Sequence, residues 1–363
     1  GGTCTLYLQI ASESYAVGSY PINLTYNYTN SNANYSISTT VYQHVDLYAG
    51  GRTGVYVFNG ESFESALLQN SSNVNVMVHD NYGNLYFNSE SFVYEYNGRI
   101  TKRLGIMQPP NTINSLTIDN NSNVIAGTSA GVYYCNLNES SCSLLNDNKG
   151  IIPSSSNILG VAYAVNTSNI LYITESTNAY SCIESGTYDA PTMNCKKLIT
   201  GSNPQYYTNS LSAYNGVLYA GVGTSFESYG TLWNPYSVTP TIIAPAYISS
   251  VQVNSYGALF GVNRPSIYNE SSIYFCMASG TECVAESSGA GRYITGNINA
   301  TTMDGAGYIY GVGSNINSGD FSVVKNAYGF FESQTPTTNW QPIVATESLA
   351  ALVTLSSLVI LNK

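Results

Sequence analysis

The segment Ile113–Asn146, INSLTIDNNSNVIAGTSAGVYYCNLNESSCSLLN, carries the clearest pattern of apolar and polar positions in the chain. Leu116 and Ile118 alternate with polar residues, the period of a half-buried strand. The run Asn120-Asn121-Ser122-Asn123 is a turn cluster. Val124-Ile125-Ala126-Gly127 reads as a second strand, Val132–Cys135 as a third and Cys142–Leu145 as a fourth. Four short antiparallel strands in about 35 residues form a self-contained sheet with two wide faces, and neither face can stay bare in water.

The same unit recurs. An apolar-aromatic step, with Gly soon after in most copies, is centred on Leu47, Leu85, Val124, Leu171, Leu218, Leu259, Ile309 and Val359, at intervals of 38 to 50 residues. Third strands match as Gly54–Val57, Phe92–Glu95, Gly131–Tyr134 and Ile273–Cys276. First strands match as Val74–Val78, Ser115–Ile118, Gly160–Tyr163 and Ser250–Val253. A period of about 40 to 50 residues with four strands per unit is the signature of a β-propeller. The expected fold is therefore all-β: a seven-bladed β-propeller, with eight blades as the alternative because the step occurs eight times.

The chain ends predict how the ring closes. Val45–Gln69 supplies second, third and fourth strands but no first, and Leu349–Thr354 is the expected first strand of that composite blade. Leu358–Leu361 is then left as a spare second strand. The expected domains are residues 1–43, a β-rich arm, and residues 44–363, a propeller closed by its terminal strands.

Residues 1–43 hold three alternating strand candidates, CTLYLQIA, SYPINLTYNY and YSISTTVYQ. With a Cys at the head of a strand, a Gly-Ser-Tyr turn and a Thr-Tyr-Asn-Tyr strand, the segment resembles part of the Ig-like domains of bacterial surface proteins. Three strands cannot close a sandwich of about seven, so their apolar face needs a cover from elsewhere. Residues 45–363 are similar to the broad group of secreted bacterial and archaeal surface propellers, distantly of the NHL and sensor-propeller kinds. That resemblance implies a fold and leaves function open.

Composition sharpens the setting. Charged residues make up 9% of the 363 residues, against roughly 25% in ordinary globular proteins. Tyr, Asn, Ser, Thr and Gly take their place, which suits turns and strands. With 21 acids against 11 bases, the net charge of -10 argues against a nucleic-acid partner. Arg99-Lys102-Arg103 and Lys196-Lys197 read as solvated loops. Leu349–Leu361 is too short and too interrupted to span a bilayer and reads as a buried strand pair. The start at Gly1-Gly2-Thr3-Cys4 shows no signal peptide and reads as a mature or partial chain.

Six of the seven Cys fall into local pairs: Cys135 with Cys142, Cys182 with Cys195, and Cys276 with Cys283. The first member of each ends a third strand and the second lies on the fourth, where facing residues reach disulfide distance. Three hairpin disulfides imply an oxidising, extracellular compartment. Zinc is disfavoured, because no pair has knuckle spacing and only His44 and His79 are present. Cys4 is left over.

Catalytic signals are sparse. Neither His stands near a nucleophile elbow, although His79-Asp80 is the first pair to test. Glycosidase chemistry needs convergent carboxylates, and Asp119, Glu175 and Asp304 all fall in turns. No Asp-x-Asp-x-Asp loop or phosphate loop is found, so no metal or cofactor is expected, and the chain is not expected to be an enzyme. Of nine Asn-x-Ser/Thr sequons, a number that composition alone accounts for, Asn120, Asn138 and Asn269 sit in expected exposed turns. Tyr206, Tyr207, Trp233 and Tyr236 form a candidate aromatic rim for stacking on sugars.

The expectation is an extracellular, cell-surface structural protein. It would be a subunit of a filament or surface layer, assembled by β-strand addition through residues 1–43. The partners would be copies of itself or other surface proteins. An adhesin or lectin-like glycan-binding propeller is the alternative, and a secreted hydrolase follows.

Overall fold

The computed structural model describes residues 19–27, 34–42, 45–51, 54–58, 63–67, 73–80, 82–98, 100–106, 112–137, 141–164, 170–175, 178–187, 190–200, 207–214, 217–223, 230–233, 241–244, 247–254, 257–263, 272–277, 283–285, 298–303, 309–314, 321–326, 340–342 and 357–362. Among them there is no helix.

The strands in chain order begin with a hairpin, β1 (Ser19–Asn27) and β2 (Asn34–Tyr42). Next come β3 (Val45–Gly51), β4 (Gly54–Phe58) and β5 (Phe63–Leu67), in sheet I. Sheet II holds β6 (Met77–His79), β7 (Leu85–Ser89), β8 (Phe92–Tyr96) and β9 (Thr101–Ile106). Sheet III holds β10 (Ile113–Ile118), β11 (Val124–Thr128), β12 (Gly131–Asn136) and β13 (Ser141–Leu144). Sheet IV holds β14 (Asn146–Asp147), β15 (Gly160–Ala164), β16 (Ile170–Thr174), β17 (Asn178–Thr187) and β18 (Ala190–Thr200). Sheet V holds β19 (Tyr207–Tyr214), β20 (Val217–Gly223), β21 (Gly230–Trp233) and β22 (Thr241–Ala244). Sheet VI holds β23 (Tyr247–Asn254), β24 (Gly257–Asn263), β25 (Ser272–Met277) and β26 (Cys283–Ala285). Sheet VII holds β27 (Ile298–Met303), β28 (Ile309–Ser314), β29 (Phe321–Asn326) and β30 (Trp340–Pro342), and β31 (Ser357–Asn362) completes sheet I.

Each of the seven sheets is an antiparallel meander in sequence order, apart from the composite sheet I and the added β14. The innermost strands touch in cyclic order, β6 to β10, β15, β19, β23, β27, β31 and back to β6. Consecutive sheets therefore pack face to face around an axis.

The closure differs from expectation in one respect. Leu358–Leu361 is not a spare second strand: β31 pairs with β3 along Val45↔Asn362 to Gly50↔Ser357 and fills the first-strand place itself. The expected first strand at Leu349–Thr354 lies outside the described residues. An apolar step fits a first strand and a second strand equally well, since both are covered on two faces. Sheet IV also has a fifth strand that the sequence pattern does not announce. Residues Asn146 and Asp147 leave sheet III and pair in parallel with Thr192 and Met193 of β18.

The core lies between sheets. Tyr48, Val55, Val74, Met77, Leu85 and Phe87 join sheets I and II. Tyr86, Val93 and Leu104 meet Leu116, Val124, Ala126 and Tyr133 between II and III. Ile125, Val132 and Tyr134 meet Val161, Tyr163, Leu171 and Tyr180 between III and IV. Every residue of β11 is buried, because Val124 and Ala126 serve one seam and Ile125 the other. That is why the strand reads as an unbroken apolar run.

Asp carboxylates tie the turns between first and second strands. Asp80 Oδ1 accepts from the amides of Tyr82 and Asn84, and Oδ2 from Asn84 Nδ2 and the Tyr86 hydroxyl. Asp119 repeats the first three contacts with Asn121 and Asn123. The fourth turn position needs a left-handed backbone, met by Gly83 at φ 83° and by Ser122 at φ 66°.

Candidate functional site: the central cavity

The innermost strand of every sheet leaves one row of backbone groups without a ladder partner, and buried N–H groups of that kind must find acceptors. For sheets IV, VI and VII the preceding sheet supplies them. Ser115 Oγ accepts from the Val161 amide at 3.1 Å and Thr117 Oγ1 from the Tyr163 amide at 3.0 Å. Farther round, Ser210 Oγ accepts from the Val251 amide and Ser250 Oγ from the Thr301 amide. In sheet II the Asn88 side-chain oxygen Oδ1 accepts from the amides of Asn75 and Val76. The hydroxyls are aligned by a bulge just before Ser115, Ser210 and Ser250, which adds twist where the strand turns toward the axis.

These strands surround a cavity of about 390 Å³, within the usual range for small-molecule sites. β6, β10, β15, β19, β23 and β27 all contribute, and the described lining contains no Asp, Glu, Lys or Arg. Ser115, Thr117, Ser212, Gln252, Asn299 and Thr301 give the wall its hydroxyls and amides. Such a wall can hydrogen-bond a neutral polar ligand, and among its described residues His79 is the one side chain able to offer a counter-charge to an anion. Sequence reading missed this site. Its signal is faint: a hydroxyl after the bulge in Asn114-Ser115-Leu116, Asn209-Ser210-Leu211 and Ser249-Ser250-Val251.

A group of ionisable side chains lies at the seam between sheets III and IV, beside this cavity. The Tyr163 hydroxyl donates to Glu184 Oε2 at 3.2 Å, and Glu184 Oε1 is buried without a hydrogen-bond partner. Burial, reinforced by the charge of Asp119, pushes the Glu184 carboxyl up to about 7. Burial also raises Asp119, against the pull of its bonds from Asn123, Asn121 and Tyr134. By contrast, burial of Asp147 is outweighed by the amides of Lys149, Ile151, Ile152 and Cys195, which hold that carboxyl below its ordinary value.

The sequence-derived candidates are placed as follows. Cys135–Cys142 and Cys182–Cys195 are disulfides. Cys276 and Cys283 face each other in the same ladder position, and their side chains lie outside the described residues. Asn120 is exposed in the β10–β11 turn, while Asn138 and Asn269 lie outside the described residues. Tyr207 pairs with Gly223, and Trp233 with Ala220, three ladder steps away on the same sheet. Tyr206 and Tyr236 fall outside, as do His44 and Asp304.

His79 and Asp80 are not joined through their side chains. His79 Nδ1 lies 3.0 Å from the Asp80 backbone carbonyl, and the Asp80 carboxylate is occupied by its own turn. Glu175 likewise accepts from Asn178 and Tyr180 within its turn. Lys102 and Arg103 lie on β9, and Lys196 and Lys197 on β18, as exposed residues of outer strands rather than loops. Charge on an outer strand guards a free sheet edge. Among the described residues no cluster of three or more His, Cys, Asp or Glu is placed to hold a metal, and no helix is long and apolar enough to cross a membrane.

No protein-family model matches the chain, and no curated protein sequence matches it. Solved structures do. The extracellular domain of a one-component system from B. thetaiotaomicron aligns with a TM-score of 0.52 at 13% identity, covering 82% of this chain and 44% of that one. The chain thus spans under half of that domain's length. Virginiamycin B lyase from Staphylococcus aureus aligns with a TM-score of 0.52 at 11% identity, over 82% of this chain and 88% of that one. The beta-propeller domain of Cps50 (Swd1) from Myceliophteria thermophila aligns with a TM-score of 0.51 at 9% identity, over 70% and 84%. One of these is an enzyme by name and the others are not, so the likeness carries the fold alone: the chain is an all-β protein of the β-propeller kind.

Proposed function

We propose that the protein is an extracellular, non-catalytic surface subunit. Residues 44–363 form a seven-bladed ring, and residues 1–43 form an arm that joins copies by β-strand addition. The observation that carries the reading is the β1–β2 hairpin. It pairs from Ser19↔Tyr42 to Asn27↔Asn34 as a two-stranded sheet, so each strand has an edge with no strand beside it among the described residues. Neither strand carries a charge, and β2 carries no Pro or Gly. Free edges in stable monomers are normally guarded by such residues, and an unguarded edge suits pairing with another chain. The two disulfides support an oxidising setting.

The test is assembly of the full chain with Ser36→Lys and Ser38→Lys on β2. Two cations there should abolish higher assembly and leave the circular dichroism unchanged. Unaltered assembly would refute the role of this edge. A second reading, a lectin-like binding module, is favoured by the hydroxyls and amides that line the cavity, with no Asp, Glu, Lys or Arg among its described lining residues. A glycan array with the intact protein tests it, and an array without hits would count against it.

A further inference from the structure

We propose that Glu184 and Tyr163 form a proton-operated latch across the seam between sheets III and IV, closed when Glu184 is neutral and released when it ionises. The inference stands apart from the assembly reading.

The latch sits where the β17–β18 hairpin runs past the described end of β16. Among the described residues β16 pairs with β17 as far as Ile170↔Ile183. Beyond that point, Glu184↔Met193 to Thr187↔Ala190 pair with each other, steadied by β14 at Thr192 and Met193. Glu184 is therefore the first residue of the hairpin tip beyond that point. Its carboxyl holds the Tyr163 hydroxyl through Oε2. Tyr163 belongs to the core that joins the two sheets and borders the central cavity.

The surrounding groups leave an anion at Glu184 uncompensated. Tyr163 faces it from β15, and Asp119 acts on it from the β10–β11 turn of sheet III. Tyr134 of β12 adds its hydroxyl to the same group, 3.5 Å from Asp119 Oδ2. Across the ladder stands Met193. No Lys or Arg contributes to the balance at this carboxyl. Its Oε1 is sealed from water with no donor, which a neutral carboxyl tolerates far better than a carboxylate. Ionisation therefore drives the carboxyl toward solvent, takes the acceptor from Tyr163, which borders the cavity, and lifts the hairpin tip. Because burial places the midpoint at about 7, the latch works near neutral pH.

Hydrogen exchange of the full chain tests this, read as protection factors corrected for intrinsic rates at pH 5 and pH 8.5. In the wild type, protection of residues 184–193 should fall about ten-fold or more between the two. Glu184→Gln, which cannot ionise, should keep protection level across that range. Tyr163→Phe removes the latch bond while the ring still packs, so protection at pH 5 should already fall toward the wild-type value at pH 8.5. Equal protection at both pH values in the wild type would overturn the proposal. So would an undiminished loss in Glu184→Gln, or wild-type protection at pH 5 in Tyr163→Phe. If Glu184→Gln does not fold, the wild-type and Tyr163→Phe profiles decide the matter by themselves.

Discussion

Opening the two disulfides offers a direct quantitative probe of the blade register. Cys135–Cys142 and Cys182–Cys195 bridge facing positions on neighbouring strands, with sequence separations of 7 and 13. Closing loops of those lengths in the unfolded chain removes entropy equivalent to about 2.5 and about 3 kcal/mol at 25 °C. The pairs lie in different inter-sheet cores: Cys135 between sheets II and III, Cys182 and Cys195 between III and IV. Their effects should therefore add to roughly 5 kcal/mol. The assay is guanidinium unfolding of the wild type, Cys135→Ala/Cys142→Ala, Cys182→Ala/Cys195→Ala and the quadruple variant. Buried sulfur is lost as well, so the measured losses should equal or exceed the entropic values. A loss below about 0.5 kcal/mol for either pair would refute the argument that these bridges constrain the unfolded chain. Thiol counting extends the test to the third pair. Alkylation of the denatured, unreduced protein should label one of seven cysteines, because Cys276 faces Cys283 as the other pairs face each other. Three labels would show that pair open.

Other outcomes follow from single positions. Ser122→Gly should raise stability by about 0.5–1 kcal/mol, because Ser122 holds φ 66° where the equivalent turn uses Gly83. Thermal unfolding reads it, and a loss would show that the Ser122 side chain matters more than its backbone. Gly160→Ala should cost about 1–3 kcal/mol by the same measurement, since a Cβ would lie 2.8 Å from Thr174 Oγ1 and 3.0 Å from Leu211 of the next sheet. Ser250→Ala should cost about 1–2 kcal/mol by leaving the Thr301 amide without its acceptor. Stability should also fall as pH rises from about 4.5 to about 7, because the folded chain keeps a proton on Glu184 that the unfolded chain has released. The full shift would be worth about 3 kcal/mol, and the partial exposure of the group reduces this to about 1–2 kcal/mol. Glu184→Gln should flatten that slope in denaturant titrations run across the range.

Much of the ring could be read from the chain because the repeated unit is local. The steps at Leu85, Val124 and Leu171 fall on second strands, and the Cys spacing alone put Cys135 opposite Cys142. What could not be read depends on contacts between units. Nothing in Asn146-Asp147 announces that it crosses to β18, since that pairing is made far along the chain. Leu358–Leu361 reads as a second strand but fills the first-strand place, because the first and second strands of a blade are covered alike. The cavity rungs at Ser115, Ser210 and Ser250 were hidden by chemistry, because a Ser beside a turn-rich segment looks like every other Ser in this composition. Glu184 gave no signal either: its environment is made by Tyr163 and Asp119, which lie 21 and 65 positions earlier in the sequence.

Assembly is the central claim, and electron microscopy of the purified, unreduced full chain tests it most directly. Wild-type protein should form fibres or ordered arrays, and protein with Ser36→Lys and Ser38→Lys should appear as single rings. Wild-type protein present only as single rings at every concentration examined, with residues 19–42 protected from exchange, would contradict it.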